Sequence, residues 1–241
     1  MYLMHFYGFG RGMYWMWDPT YILIVIGVVL SMVASAMVHS SFSKYNRVRS
    51  SSGLTGAETA RRILAYAGIT DVSVSHVSGN LTDHYNPKTK DVGLSDSVYG
   101  SNSVAAIAVA AHECGHVIQH ANSYVPLSIR SALVPVANFG SGASWFIILA
   151  GIFFSMPPLV TIGIVLFSAA VLFQVVTLPV EINASRRALA ILEECGILGS
   201  TEKRGAKRVL RAAALTYVAS AAAAILQLLR LLILFGRNSR D

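Results

Sequence analysis

Residues 20–38 read TYILIVIGVVLSMVASAMV, an uncharged apolar run about long enough to cross a hydrocarbon core of roughly 30 Å as a helix rising about 1.5 Å per residue. Outward from it, no charged residue lies between Asp18 and Lys44, and none between Arg130 and Glu181. The second interval is too long for one crossing. Ser155-Met156-Pro157-Pro158 interrupts it. Paired prolines break helices and favour turns, so the interval reads as a two-span hairpin over residues 132–154 and 159–179. A last apolar stretch, residues 212–235, is broken by Arg230 alone, whose long side chain near one end could snorkel to the interface. The sequence thus predicts one integral-membrane, mainly α-helical unit over residues 1–241 with about four transmembrane helices.

Composition agrees: 54% of the residues are hydrophobic and 13% charged, too apolar for an ordinary soluble domain. The net charge of +7 comes without a compact basic stripe carrying interleaved aromatics, which argues against nucleic acid. Its distribution sets orientation instead. Lys44 to Arg130 holds eight Lys/Arg and Arg186 to Arg211 seven, against Arg11 before the first span and Arg237 and Arg240 after the last. The positive-inside rule then makes residues 41–130 and 181–211 cytoplasmic, with both ends outside. Trp15 and Trp17 read as an interfacial aromatic belt. Ala34-Ser35-Ala36 resembles a signal cleavage site, but no basic segment precedes the run and basic residues follow it, so an uncleaved anchor is expected. Cys114 and Cys195, far apart in cytoplasmic segments, do not indicate a structural disulfide.

Between the first two spans, Thr55-Gly56-Ala57-Glu58 matches a capping box that opens an amphipathic helix ending near Gly68. Val72, Val74 and His76 alternate with serines as in a strand, and Asp83 to Ser95 holds an Asn86-Pro87-Lys88 turn between two extended arms. From Ser103 the pattern VAAIAVAAHECGHVIQHA is rich in helix formers.

That helix carries His112-Glu113-Cys114-Gly115-His116, an H-E-x-x-H motif. Residues four apart share a helix face, so both imidazoles can reach one ion, and imidazole nitrogen suits zinc at about 2.0 to 2.1 Å. Glu113 is placed beside the metal, where a carboxylate can take a proton from water. The bland alternative is a helix whose two histidines are satisfied by polar neighbours. A zinc enzyme needs a third protein ligand. His120 continues the spacing but lies about 12 Å along the helix from His112, which suits a supporting, substrate-facing or surface position. Glu181 is the stronger candidate, since it stands at the cytoplasmic exit of the third span. Glu193 and Glu194 are the alternatives.

The segments AAHECGHVIQH, DHYNPKTKDVGLS before it and LPVEINASRRAL after it resemble the YugP-like neutral zinc metallopeptidases of bacterial membranes over nearly the whole chain. More distantly the arrangement resembles HtpX-type and CaaX-prenyl membrane proteases. The resemblance implies a gluzincin-like enzyme with a small α+β zincin-like cytoplasmic portion, His112, His116 and Glu181 as ligands of one Zn2+ per chain, and Glu113 as the catalytic residue. The distant relatives usually carry an Asp four residues after the ligand Glu, where this chain has Ser185. By the same analogy one arm of Asp83 to Ser95 could receive substrate by strand addition. His84 could face the cleft or stabilise the turn, and Arg186 and Arg187 could be transition-state stabilisers or membrane anchors.

The expected function is a multi-pass cell-membrane zinc metalloendopeptidase, its site opening to the cytoplasm near the bilayer, acting on a peptide or protein substrate that could itself be membrane-associated. The competing readings are a catalytically silent zinc-binding scaffold and a metal-ion transporter. A transporter would place ionisable residues inside its spans, where only Arg230 stands.

Overall fold

The computed structural model describes residues 18–236; the expected belt of Trp15 and Trp17, and Arg11, Arg237 and Arg240, lie outside them. Among the described residues, four helices are long and apolar enough to cross a membrane: α1 (Tyr21–Asn46), α4 (Val125–Phe153), α5 (Pro157–Glu194) and α6 (Ser200–Phe235). They correspond to the four expected spans, and α4 and α5 form the expected hairpin. Its corner is Met156 with Pro157 and Pro158 opening α5, and Ser155 adopts a left-handed φ of 52°. Helix α4 lies along α5, α1 lies along α6, and α5 and α6 join the two pairs. The α1–α6 seam is close because a Cβ on Gly27 would stand only 3.1 Å from that of Ala223, and small residues let apolar helices approach in this way.

Helix α5 carries the third span on through Pro179 and Glu181 without a break for 38 residues, about 57 Å. A proline inside a membrane helix is tolerated when neighbouring groups satisfy the freed backbone. The long side chain of Arg230 reaches Asp18 beside the start of α1. It is 5% exposed, pairs through Nη2 with Asp18 Oδ2 at 3.0 Å, and lies 4.3 Å from the Tyr21 ring centroid. A paired, stacked guanidinium avoids the penalty of an isolated charge in an apolar setting.

The segments between the spans build a second, ordinary core. Helix α2 (Gly56–Tyr66) opens with the expected capping box: Thr55 Oγ1 accepts from the Glu58 amide at 3.2 Å and Glu58 Oε2 from the Thr55 amide at 2.8 Å. Strands β1 (Ser73–His76), β2 (His84–Asn86) and β3 (Asp91–Leu94) form one sheet in the order β1-β3-β2. The β2–β3 hairpin is antiparallel about the expected turn, whereas β1 pairs in parallel with β3, with Val74 opposite Val92. Helix α3 (Val104–Ala121) lies between this layer and the ends of α5 and α6. Ile63, Leu94, Ile107, Leu192 and Ile197 are among the fully buried side chains of the core around it.

Candidate metal centre

Helix α3 starts at Ser103, whose side chain accepts from the Ala106 amide. Small residues around the helix, Ala105, Ala106, Ala108, Ala110 and Ala111, are fully buried, which lets neighbouring elements close on it. The closest approach falls inside the H-E-x-x-H motif. A Cβ on Gly115 would meet the Ala184 carbonyl oxygen at 2.5 Å, so α5 passes tight against the motif only because that position is glycine. Ala184 lies one helical turn from Glu181, and this contact delivers Glu181 to the two histidines.

Glu181 Oε2 stands 3.2 Å from His112 Nε2 and 3.6 Å from His116 Nε2. One ligand atom from each of the three residues lies within 4.8 Å of the others. The opposite ring nitrogens are also held: His112 Nδ1 contacts Ser185 Oγ at 3.2 Å and His116 Nδ1 contacts Gln119 Oε1 at 3.0 Å. Metal-binding histidines characteristically have their second nitrogen fixed by such a partner. Gln119 is itself fully buried and donates Nε2 to the Val180 carbonyl at 2.8 Å and to Asn183 Oδ1 at 3.0 Å, which ties α3 to α5 again. Two imidazoles and a carboxylate, each with one face bound and one converging, fit a zinc ion.

The electrostatics favour a cation there. Burial opposes charge on Glu181, but the hydrogen bond from His112 and the close approach of His116 outweigh it and hold the carboxyl well below the usual carboxylate range. Burial also opposes charge on His116, yet the contact with Glu181 and the nearby Glu113 charge push its pKa up. Glu113 is 8% exposed and its carboxylate accepts no hydrogen bond from a described residue. Arg130, at the start of α4, places Nη1 3.8 Å from Glu181 Oε1, while its buried Nε has no partner. Tyr217 of α6 lies close enough to feel the charges of Glu181 and Glu113.

The other sequence candidates lie elsewhere. His120 is exposed and joins its Nδ1 to the Tyr85 hydroxyl at 2.9 Å, bracing α3 against β2. His84 is exposed and contacts the Thr82 carbonyl at 2.9 Å, a local turn contact. Arg186 is exposed, and Arg187 donates to Asn183 Oδ1 at 2.8 Å. Glu193 pairs with Lys203 and Glu194 is exposed, so neither joins the centre. The sequence reading missed Gln119, Arg130 and Tyr217. Gln119 had a signal, since it follows His116 by three residues on the same helix face; Arg130 and Tyr217 are brought in by tertiary packing alone.

The comparisons with known proteins point to a zinc metallopeptidase. Residues 20–236 match the model of the family described as "Putative neutral zinc metallopeptidase". The chain is 48% identical over 219 residues to the Bacillus subtilis (strain 168) protein described as "Putative membrane protease YugP", covering 91% of this chain and 97% of that one. No solved structure matches. With four membrane-type helices and a converging His-His-Glu set already in place, the chain belongs to this family of membrane zinc metallopeptidases.

Proposed function

We propose that the chain is an endopeptidase that holds one zinc ion through His112, His116 and Glu181 and hydrolyses peptide bonds with Glu113 as general base. The observation that carries this reading is the convergence of three ligand atoms within 4.8 Å beside the buried Glu113 carboxylate, which accepts no hydrogen bond from a described residue. Zinc held there would lower the pKa of a bound water towards about 7 and polarise a carbonyl oxygen. Glu113 accepts the proton of the attacking water on a carboxylate oxygen and passes it to the leaving amine nitrogen. Arg130, whose Nη1 stands 3.8 Å from Glu181 Oε1, is the cation in position to stabilise negative charge developing on the substrate, the role that the sequence offered to Arg186 and Arg187. Strand β2 is a sheet edge, bonded only to β3, and its Tyr85 touches α3; an extended peptide adding to that edge would run towards the centre. The charge distribution supports a cytoplasmic position for this face, close to the bilayer.

The test uses detergent-purified chain and an unstructured protein substrate. Glu113→Gln should keep its zinc and lose roughly 10²- to 10⁴-fold in cleavage, and Glu181→Ala should lose both. Unchanged cleavage in Glu113→Gln would sink the mechanism, while zinc binding without cleavage by the wild type would favour the silent scaffold.

A further inference from the structure

The seam between α1 and α6 carries a groove that the metal centre does not use. Towards the aqueous portion, a cavity of about 710 Å³ opens between the two helices. One end is apolar, walled by Val33, Met37 and Leu215; the other is basic, with Lys44, Arg208 and Arg211 around Tyr45. The three cations are exposed, and no carboxylate lines the groove. Arg208 donates Nη1 to the Tyr45 hydroxyl at 3.0 Å, and Lys44 Nζ stands 5.7 Å from the Tyr45 ring centroid. None of the three cations has an ion-pair partner among the described residues. The Tyr45 ring is itself wedged against Gly205, where a Cβ would lie 2.8 Å from it, so the polar end has a fixed floor.

We propose that this groove binds one anionic phospholipid, its phosphate among Lys44, Arg208 and Arg211 and an acyl chain along Val33, Met37 and Leu215. Depth supports it. Lys44 lies about 10 Å beyond Met37 along α1, and Arg211 directly precedes the apolar run that begins at Ala212. The cations therefore sit at headgroup level and the apolar wall in the hydrocarbon. A smaller hollow farther along the same seam, lined by Gly27, Val28 and Met32, continues the apolar track. Basic pockets between membrane helices suit acidic headgroups, and guanidinium groups match phosphate geometry. A second copy of the chain is a poor occupant, because a two-fold contact would set these cations against their own equivalents.

The experiment is lipid competition on the full-length, detergent-purified chain, read by native mass spectrometry with phosphatidylglycerol and phosphatidylcholine of identical acyl chains. Wild type should retain one phosphatidylglycerol in preference. Replacing Lys44, Arg208 and Arg211 by Gln together should reduce that preference on the order of 100-fold. Arg47→Gln with Lys207→Gln, at the same level but off the groove, should leave it intact. If the triple variant does not fold, Arg211→Gln alone, at an exposed side chain, should lower the preference roughly fivefold. Equal retention of both lipids by wild type, or an equal loss in the off-groove pair, would overturn the proposal. Displacement of the lipid by glycerol phosphate at comparable concentration would do so too, since it would make the site one for free phosphate.

Discussion

Leu172 and Leu192 stand on the same helix, α5, yet Leu172 is 52% exposed and Leu192 is fully buried. The difference is one of solvent. In the spanning part an apolar side chain directed outward meets lipid tails as apolar as itself, so little is gained by covering it. Beyond Glu181 the same residue type must leave water, and it does so in the core that also holds Ile63, Leu94 and Ile107. Helix α5 is therefore built for both media. Its crossover point is Glu181, where it delivers a carboxylate to histidines on a helix, α3, that belongs wholly to the aqueous portion. The candidate metal centre sits at the boundary because Glu181 arrives from the membrane and the two histidines from the core.

The largest predicted effect tests that contrast directly. Leu192→Ala should destabilise the protein by about 2–5 kcal/mol, the usual cost of a large-to-small change in a packed core. Leu172→Ala should change stability by no more than about 0.5 kcal/mol. Denaturant unfolding in detergent micelles measures both, and similar costs at the two sites would mean that α5 packs alike along its length.

Glycines sharpen the comparison. Gly115→Ala would force a Cβ onto the Ala184 carbonyl, and separating α3 from α5 should cost about 1–3 kcal/mol and reduce zinc occupancy, since Glu181 would withdraw with α5. Gly142 in α4 has nothing within 4 Å of an added Cβ, so Gly142→Ala should be neutral or mildly stabilising. Zinc content per chain and unfolding midpoints distinguish the pair; unaltered zinc in Gly115→Ala would show that the close approach does not position the ligand.

A smaller effect is expected at Ser185, whose hydroxyl contacts His112 Nδ1. Ser185→Ala should weaken zinc binding by roughly 10-fold, the lower end for such a supporting group. Ser185→Asp should strengthen it by supplying a carboxylate to the same nitrogen. Competition with a chelator reads both, and the reverse order would show that the contact does not orient the ring.

What the sequence made legible follows the same division. The spans, the Pro157-Pro158 corner and the α2 capping box are written in local signals: uncharged length, paired prolines, Thr55 with Glu58. The His112 and His116 pair is legible because helical spacing alone joins residues four apart. Glu181 was reached by topology, since a span of known length must return its end to the right side. That α5 runs on through Pro179 rests on tertiary support, since a proline in a membrane helix is tolerated where neighbouring groups satisfy the freed backbone. Neither Arg130 nor the parallel β1–β3 pairing carries a local signature. Arg130 reads only as the charge that ends a loop, and parallel strands are joined by a crossover that no short-range pattern announces.

The smallest effect lies at the far edge of the aqueous portion. Asp96 accepts the Gly79 amide hydrogen bond at 2.8 Å and contacts His76 Nε2 at 2.6 Å. The Gly79 amide first, and His76 second, hold its carboxyl below the usual carboxylate range. A folded-state pKa below the unfolded value of about 3.9 means that the unfolded chain binds the proton more readily. The tether thus stabilises fully above that value and is lost as pH falls through the lowered one. The pair is exposed, so the gain is small and local. Hydrogen exchange between pH 6 and 3, corrected for intrinsic rates, should show the amides of Gly79 and β1 losing protection, and Asp96→Asn should remove the pH dependence. The stretch from α4 into α5 has no Asp, Glu, Lys or Arg between Arg130 and Glu181, so its protection should hold over the same range. If it opened in step with β1, the aqueous portion and the spans would be one cooperative unit, and the contrast between Leu172 and Leu192 would describe surroundings without describing separate stabilities.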